Sequence, residues 1–430
     1  MRRTAYDKLL KWKNKEDRKP LIINGARQVG KTWLLKEFGS KEYESVAYIN
    51  CDEIEEIKAA FTDFNTERLI RVFSAISGVA IKPENTLIIL DEIQVVPIGL
   101  TSLKYFCENA PEYHIAVAGS LLGIGLHEGT GFPVGKVDEI NLYPLSFKEF
   151  LLALNKTVLI ENLEAHRWNE SSALSAIYIE LLRQYYYVGG MPAVVRSYVE
   201  DQDIFKVRSI QNQILADYRR DFSKHVPQDV LPKVNMVWDS IPSQLAKENR
   251  KFIYNSLKKG ARAKDFEDAI QWLVDAGLAY KVLRVSKVEK PLKFYEEFDA
   301  FKLFVLDLGL MGAMVDVPAK DVLVKNEAFI EYKGAFTEQY VLQEIEALNE
   351  RVYYYSKDNS SLEIDLIIQK DEVYPIEVKA EENLKSKSLR TLFEENNKLR
   401  PVRISMAEYR EQDWMKNVPL YLAGEWVSSL

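Results

Sequence analysis

Residues 22–35 read IINGARQVGKTWLL. An apolar run ends at Asn24. Gly25, Ala26, Arg27, Gln28, Val29, Gly30, Lys31 and Thr32 follow, and an apolar stretch resumes at Trp33. The residue types packed between these two hydrophobic segments suit an anion. Glycines let the backbone turn with its N–H groups inward, and a following helix adds unpaired N–H groups and the positive end of its dipole. Lys31 adds a full charge, and the Thr32 hydroxyl offers an oxygen ligand to magnesium.

The spacing G-x-x-x-x-G-K-T matches the phosphate-binding P-loop, which requires a strand before it and a helix after it. KPLIIN reads as a buried strand and KTWLLKEFG as a helix start. The competing reading is a glycine-containing turn with a solvated lysine; the flanking segments argue against it. ATP with Mg2+ is the expected ligand, held along Gly25–Trp33.

A P-loop needs acids that hold the metal and act on water. Residues 87–92 read LIILDE. Four apolar residues bury a strand and leave Asp91 at its C-terminal end, where open α/β sheets place their ligands. Asp91 is expected to hold the metal with Thr32, and Glu92 to polarise the attacking water. HIAVAGSLLG, at 114–123, is a further apolar strand ending at Gly119–Ser120. From the residues alone, Ser120 either contacts the reacting groups or caps the next helix. NKED at Asn14–Asp17 has the form of a guanine-reading motif. It lies ahead of the P-loop with no buried strand before it, so it reads as a solvated turn and adenine is favoured.

The bulk properties bound the rest. The chain has 430 residues and a formal net charge of -7, enough length for two or three domains and no general polycation. Its two cysteines, Cys51 and Cys107, argue against a disulfide scaffold and suit a cytoplasmic protein. No window approaches a membrane span, so no membrane partner is expected. The scattered His114, His127, His166 and His225 show no zinc spacing. Strands are predicted at Leu21–Asn24, Val46–Asn50, Thr86–Leu90 and His114–Ala118, with helices between them, which implies a parallel α/β sheet.

GARQVGKTWLL, LIILDEIQ, AGSLLG, LYPLSFKEFL and YVGGMP, in that order, resemble a bacterial and archaeal family of AAA-type ATPases with an uncharacterised C-terminal domain. FKLFVLDLGL and EYKGAFTEQYVLQEI resemble the opening of that domain. The resemblance implies a P-loop core over 1–150, a helical lid over 151–240, a winged-helix module over 241–310 and a C-terminal domain over 311–430. It implies that Gly190 and Pro192 of the lid close over adenine, that Ser120 is a sensor, and that copies assemble into a homo-oligomer, a hexameric ring in many AAA-type proteins. Such rings use an arginine from a neighbour. Here Lys136 stands where Arg is expected, and Lys cannot make the bidentate fork of Arg. Arg219 and Arg220 are the alternatives.

Residues 244–293 carry twelve Lys or Arg against six Asp or Glu. The pattern resembles a winged helix, with Arg262 and Lys264 at the start of its recognition helix and Lys258 and Lys259 beside it, suited to DNA phosphates. An internal strut with a solvated charged surface fits the same residues. Further on, EIDLIIQKDEVYPIEVKA (363–380) places Asp365 on one strand and Glu377 and Lys379 on the next. A hairpin would bring them together, two carboxylates for a metal and a lysine beside an attacking water. This resembles the PD-(D/E)XK nuclease core of restriction-endonuclease-like folds, with Glu338 as the helix acid and Lys385, Lys387 and Arg390 near phosphates. An intact metal centre and a fold kept for binding or assembly both remain open. The expectation is an ATP-hydrolysing protein acting on DNA; its rival is a nucleotide-switched scaffold or defence-type signalling protein.

Overall fold

The run of apolar residues before Gly25 forms β1 (Leu21–Asn24), with its first three residues buried. The computed structural model describes residues 2–54, 56–120, 132–247, 251–323, 330–358, 360–380 and 385–430, with backbone alone for 330–332. The LLG of AGSLLG, His127 and residues 248–250 of the basic stretch lie outside the described residues. The chain divides into two units: Arg2–Tyr143 with Asp275–Gly277, and Pro144–Val274 with Leu278–Leu430.

In the first unit, β1 is joined by β2 (Ser45–Asn50), β3 (Thr86–Asp91), β4 (His114–Ala118) and β5 (Asp138–Asn141). The order is β2-β3-β4-β1-β5, and every neighbouring pair is parallel. This α/β fold with a parallel sheet is consistent with the expected P-loop NTPase core. All residues of β3 and β4 are buried, as central strands covered on both faces should be. β5 was not among the strands predicted from sequence. It reads DEIN and buries Ile140 alone, so it carries no hydrophobic pattern. Because β1, β3 and β4 are parallel, their C-terminal ends share one sheet edge. The P-loop, Asp91 and Ser120 follow from that edge.

The second unit opens with helices, among them Phe147–Ala153, Ser175–Val188, Pro192–Asp201, Ile204–His225 and Leu231–Leu245. Its sheet comprises β6 (Ala279–Val285), β7 (Glu296–Val305), β8 (Val352–Ser356), β9 (Glu363–Gln369), β10 (Val373–Val378), β11 (Val402–Ser405), β12 (Arg410–Glu411) and β13 (Lys416–Pro419). The order is β12-β13-β11-β10-β9-β8-β6-β7. The expected domain boundary falls at residue 310, yet β6 pairs parallel with β8 and the sheet continues across it. The last six residues of β7 are all buried, so the β6–β7 hairpin is part of a core and not a free-standing wing. No helix among the described residues is long and apolar enough to cross a membrane.

Candidate functional site

Three positive φ angles shape the loop after β1: Gly25 at 147°, Gln28 at 67° and Gly30 at 96°. A Cβ on Gly25 would lie 2.3 Å from the Leu142 carbonyl oxygen, so only glycine fits there. Gln28 is a non-glycine residue in the left-handed region, a local cost that the surrounding contacts must offset. One such contact is Arg3, itself buried, which donates to the Val29 carbonyl at 3.0 Å and to the Tyr143 carbonyl at 2.6 Å. The helix Lys31–Glu42 starts directly at Gly30, so its unpaired N–H groups open onto the loop. Ala26 and Val29 are buried, Arg27 is exposed, and Trp33 lies 44% exposed on the first turn of the helix.

Lys31 is buried, and its Nζ donates to the Gly25 and Ala26 carbonyls, both at 2.8 Å. Burial pushes its ammonium down from 10.5 to about 8, against the pull of Glu92 and Asp91. The Thr32 hydroxyl donates to Asp91 Oδ2 at 2.7 Å, and the Tyr48 hydroxyl donates to the same oxygen at 3.0 Å. The hydroxyl and carboxylate in contact form the hard oxygen set that Mg2+ prefers, beside a cationic, N–H-rich loop that suits phosphates. These residues therefore fit a magnesium nucleotide. Tyr48 was missed from sequence; it sits on β2, and only the pairing of β2 with β3 carries it to Asp91.

Glu92 follows with φ 52° and ψ 39°, left-handed for a non-glycine residue. Its Oε2 accepts from Gln94 Nε2 at 2.5 Å and from the Ser120 hydroxyl at 3.3 Å. Ser120 is buried. The order of strands explains the meeting: β4 lies between β1 and β3, so Ser120 emerges beside Glu92. Gln94 was also missed, because no periodicity marks a residue in the short turn Ile93–Val95.

The remaining expected nucleotide-site residues lie in different settings. Gly190 is in the second unit, where its N–H donates to Asp307 Oδ2 at 2.6 Å and its carbonyl accepts from the Leu145 N–H at 2.7 Å. Burial lifts the Asp307 carboxyl to about 6 despite such N–H donors. Pro192 opens the helix Pro192–Asp201, where its missing N–H costs nothing. Lys136 pairs with Glu108 at 2.9 Å. Arg219 pairs with Asp239 and Arg220 with Asp217, both at 2.6 Å. In the Asn14–Asp17 turn, Lys15 pairs with Asp138 at 2.8 Å.

In the C-terminal sheet, β9 and β10 form the expected hairpin. Asp365 Oδ2 accepts the Val378 N–H at 2.8 Å, and Glu377 Oε1 pairs with Lys379 Nζ at 2.9 Å. Glu338 takes a different partner: its Oε1 lies 3.1 Å from Lys302 Nζ, and both side chains are 0% exposed. Lys302 was missed, although a lysine inside the apolar run AFKLFV is a signal, since buried lysines are rare unless paired. Arg390 pairs with Glu394 at 2.7 Å, and Lys385 and Lys387 are exposed. Among the described residues no three His, Cys, Asp or Glu side chains converge as a metal site. Lys258, Lys259, Arg262 and Lys264 are all exposed, ahead of the helix Glu267–Asp275.

Residues 17–151 match a family described as an AAA domain. Residues 179–321 and 333–422 match two families described as domains of unknown function, DUF8612 and DUF4143. No curated protein matches the chain. Among solved structures, the chain is similar to the Walker-type ATPase PABY2304 of Pyrococcus abyssi, at 15% identity, with 73% of this chain and 95% of that chain covered and a TM-score of 0.46. It is also similar to the Aeropyrum pernix ORC1 protein in complex with DNA, at 15% identity over 74% and 92%, with a TM-score of 0.26. The Aeropyrum pernix ORC2 protein, solved as ADPNP-ADP complexes, gives 12% identity over 78% and 92% and a TM-score of 0.25.

Proposed function

We propose that this chain, which carries an AAA-type P-loop ATPase domain over residues 17–151, binds ATP with Mg2+, hydrolyses it, and uses that cycle on DNA. The observation that carries the reading is the contact between Thr32 and Asp91, which joins the P-loop to the acidic strand end at 2.7 Å. In this reading the Gly25–Gly30 backbone and Lys31 bind the phosphates. Thr32 and Asp91 would hold Mg2+, which would neutralise charge on the phosphate oxygens. Glu92 takes a proton from water as the water oxygen attacks the γ-phosphorus. The bond to the bridging oxygen breaks, and ADP and phosphate are released. Ser120 and Gln94 hold Glu92 in place.

DNA as the partner is supported by the exposed cluster of Lys258, Lys259, Arg262 and Lys264. Homo-oligomeric assembly enters the reading on the AAA-type resemblance alone. The test is ATP turnover measured with and without DNA of several forms. Stimulation together with salt-dependent binding supports the reading; turnover and binding indifferent to every DNA overturn its DNA part. A second reading, a slow nucleotide switch that controls assembly, is favoured by one observation. Lys136, which stands where the resemblance expects an arginine finger, pairs with Glu108 at 2.9 Å.

A further inference from the structure

The nuclease resemblance implies a divalent cation held by Asp365 and Glu377, with Glu338 as the helix acid of the same core. The residues present do not fit one. Lys302 reaches from β7 across the sheet face, its Nζ 3.1 Å from Glu338 Oε1 and 3.0 Å from Glu363 Oε1. Lys302 and Glu338 are 0% exposed, and the ammonium lies 4.8 Å from the centre of the Tyr354 ring. A buried ammonium is tolerated only where anions compensate it. Here two carboxylates do so, one from a helix and one from a strand.

The other half of the centre is built the same way. Glu377 is 7% exposed; its Oε1 meets Lys379, and its Oε2 is buried without a hydrogen-bond partner. That buried oxygen calls for a cation nearby, and the register supplies one. Glu377 is the strand partner of Arg403 on β11, whose guanidinium is itself buried and donates to Asn417 at 2.8 Å. The charge of Glu377 acts on Arg403 against the effect of burial. Glu338 and Glu363 are thus compensated by Lys302, and Glu377 by Lys379 with Arg403 beside it on the next strand.

We infer that Lys302 is the resident cation beside this hairpin: it supplies to Glu338 and Glu363 the charge that a divalent metal supplies in the nuclease core that the sequence resembles, so the domain is closed to metal and binds without cutting. The assignment is independent of the ATP site. It turns on one side chain, because removing the ammonium takes from Glu338 and Glu363 the cation that they share. Such a carboxylate pair is what a hard cation binds.

The test uses the full chain without nucleotide, titrated with Mn2+ and followed by electron paramagnetic resonance. In the otherwise native protein, Glu338→Gln should leave Mn2+ binding unchanged. Lys302→Met should gain a Mn2+ site, and Lys302→Met with Glu338→Gln should lose it again. Mn2+ should also raise the thermal midpoint of Lys302→Met and not that of the native chain. A native Mn2+ site that vanishes in Glu338→Gln would overturn the inference, as would a folded Lys302→Met that gains none. Should Lys302→Met fail to fold, plasmid nicking decides. Nicking by the native chain in Mn2+ that disappears in Asp365→Asn overturns the inference, and its absence supports it.

Discussion

The Thr32 hydroxyl donates a 2.7 Å hydrogen bond to Asp91 Oδ2, so residues 59 positions apart in sequence share one oxygen contact at the edge of the parallel sheet. Tyr48 donates to the same carboxylate oxygen at 3.0 Å. Asp91 is thereby oriented from two sides, by the P-loop helix and by a neighbouring strand.

Orientation of this kind is measurable. Tyr48→Phe removes one donor to the carboxylate proposed to hold the metal and leaves the ring in place. The Mg2+ concentration needed for half-maximal ATP turnover should rise by roughly 10- to 100-fold, the usual cost of losing an outer partner of a metal ligand. Binding of ATP measured without metal should change little.

Lys31 and Glu92 separate binding from chemistry. Lys31→Ala removes the buried charge at the loop and should abolish turnover and weaken ATP binding together. Glu92→Gln keeps the shape of the side chain and removes its ability to accept a proton. Turnover should fall by about 10²- to 10⁴-fold while ATP stays bound, as an equilibrium binding assay with labelled ATP would show. Gln94→Ala and Ser120→Ala, which free Glu92 Oε2 from its two donors, should lower kcat more than they change KM.

The second unit should lose stability as pH rises through the neutral range. Burial raises the Glu344 carboxyl from 4.5 to about 8, although its Oε1 accepts the Phe147 N–H at 2.8 Å. Between those values the folded chain holds a proton that the unfolded chain has released, so unfolding is favoured increasingly up to about pH 8. Asp307, raised to about 6, acts in the same direction over a lower window. Glu344→Gln retains the acceptor and removes the titration. Denaturant midpoints measured from pH 5 to 8 should therefore fall for the native chain and fall less for the variant, with a difference of order a few kcal/mol.

Gly190 tests packing. A Cβ there would lie 2.2 Å from the Leu145 carbonyl oxygen, which is backbone and cannot swing aside. Gly190→Ala should destabilise the second unit by about 1–3 kcal/mol, read from thermal unfolding.

If the exposed cations near residue 260 meet DNA, the salt dependence will say so. Replacing Lys258 and Lys259 with alanine should lower the slope of log K against log salt by about 0.9 for each phosphate that is no longer neutralised. Affinity should drop equally for unrelated DNA sequences, because phosphates carry no sequence information.

Much of the first unit was legible in the sequence. Two glycines, a lysine and a threonine at fixed spacing mark the loop between a buried strand and a helix, and LIILDE states both its burial and its polar end. Local chemistry suffices there because the candidate phosphate loop is made by one continuous segment. Tertiary structure alone decided which distant groups meet. Strand order inserted Ser120 beside Glu92, β2 carried Tyr48 to Asp91, and the β7 and β9 strands with the helix Ile330–Glu346 closed Lys302 between two glutamates. No spacing rule could have found these meetings, because they depend on the order in which strands pair. That order is set by burial over the whole sheet, not by the few residues that carry the chemistry.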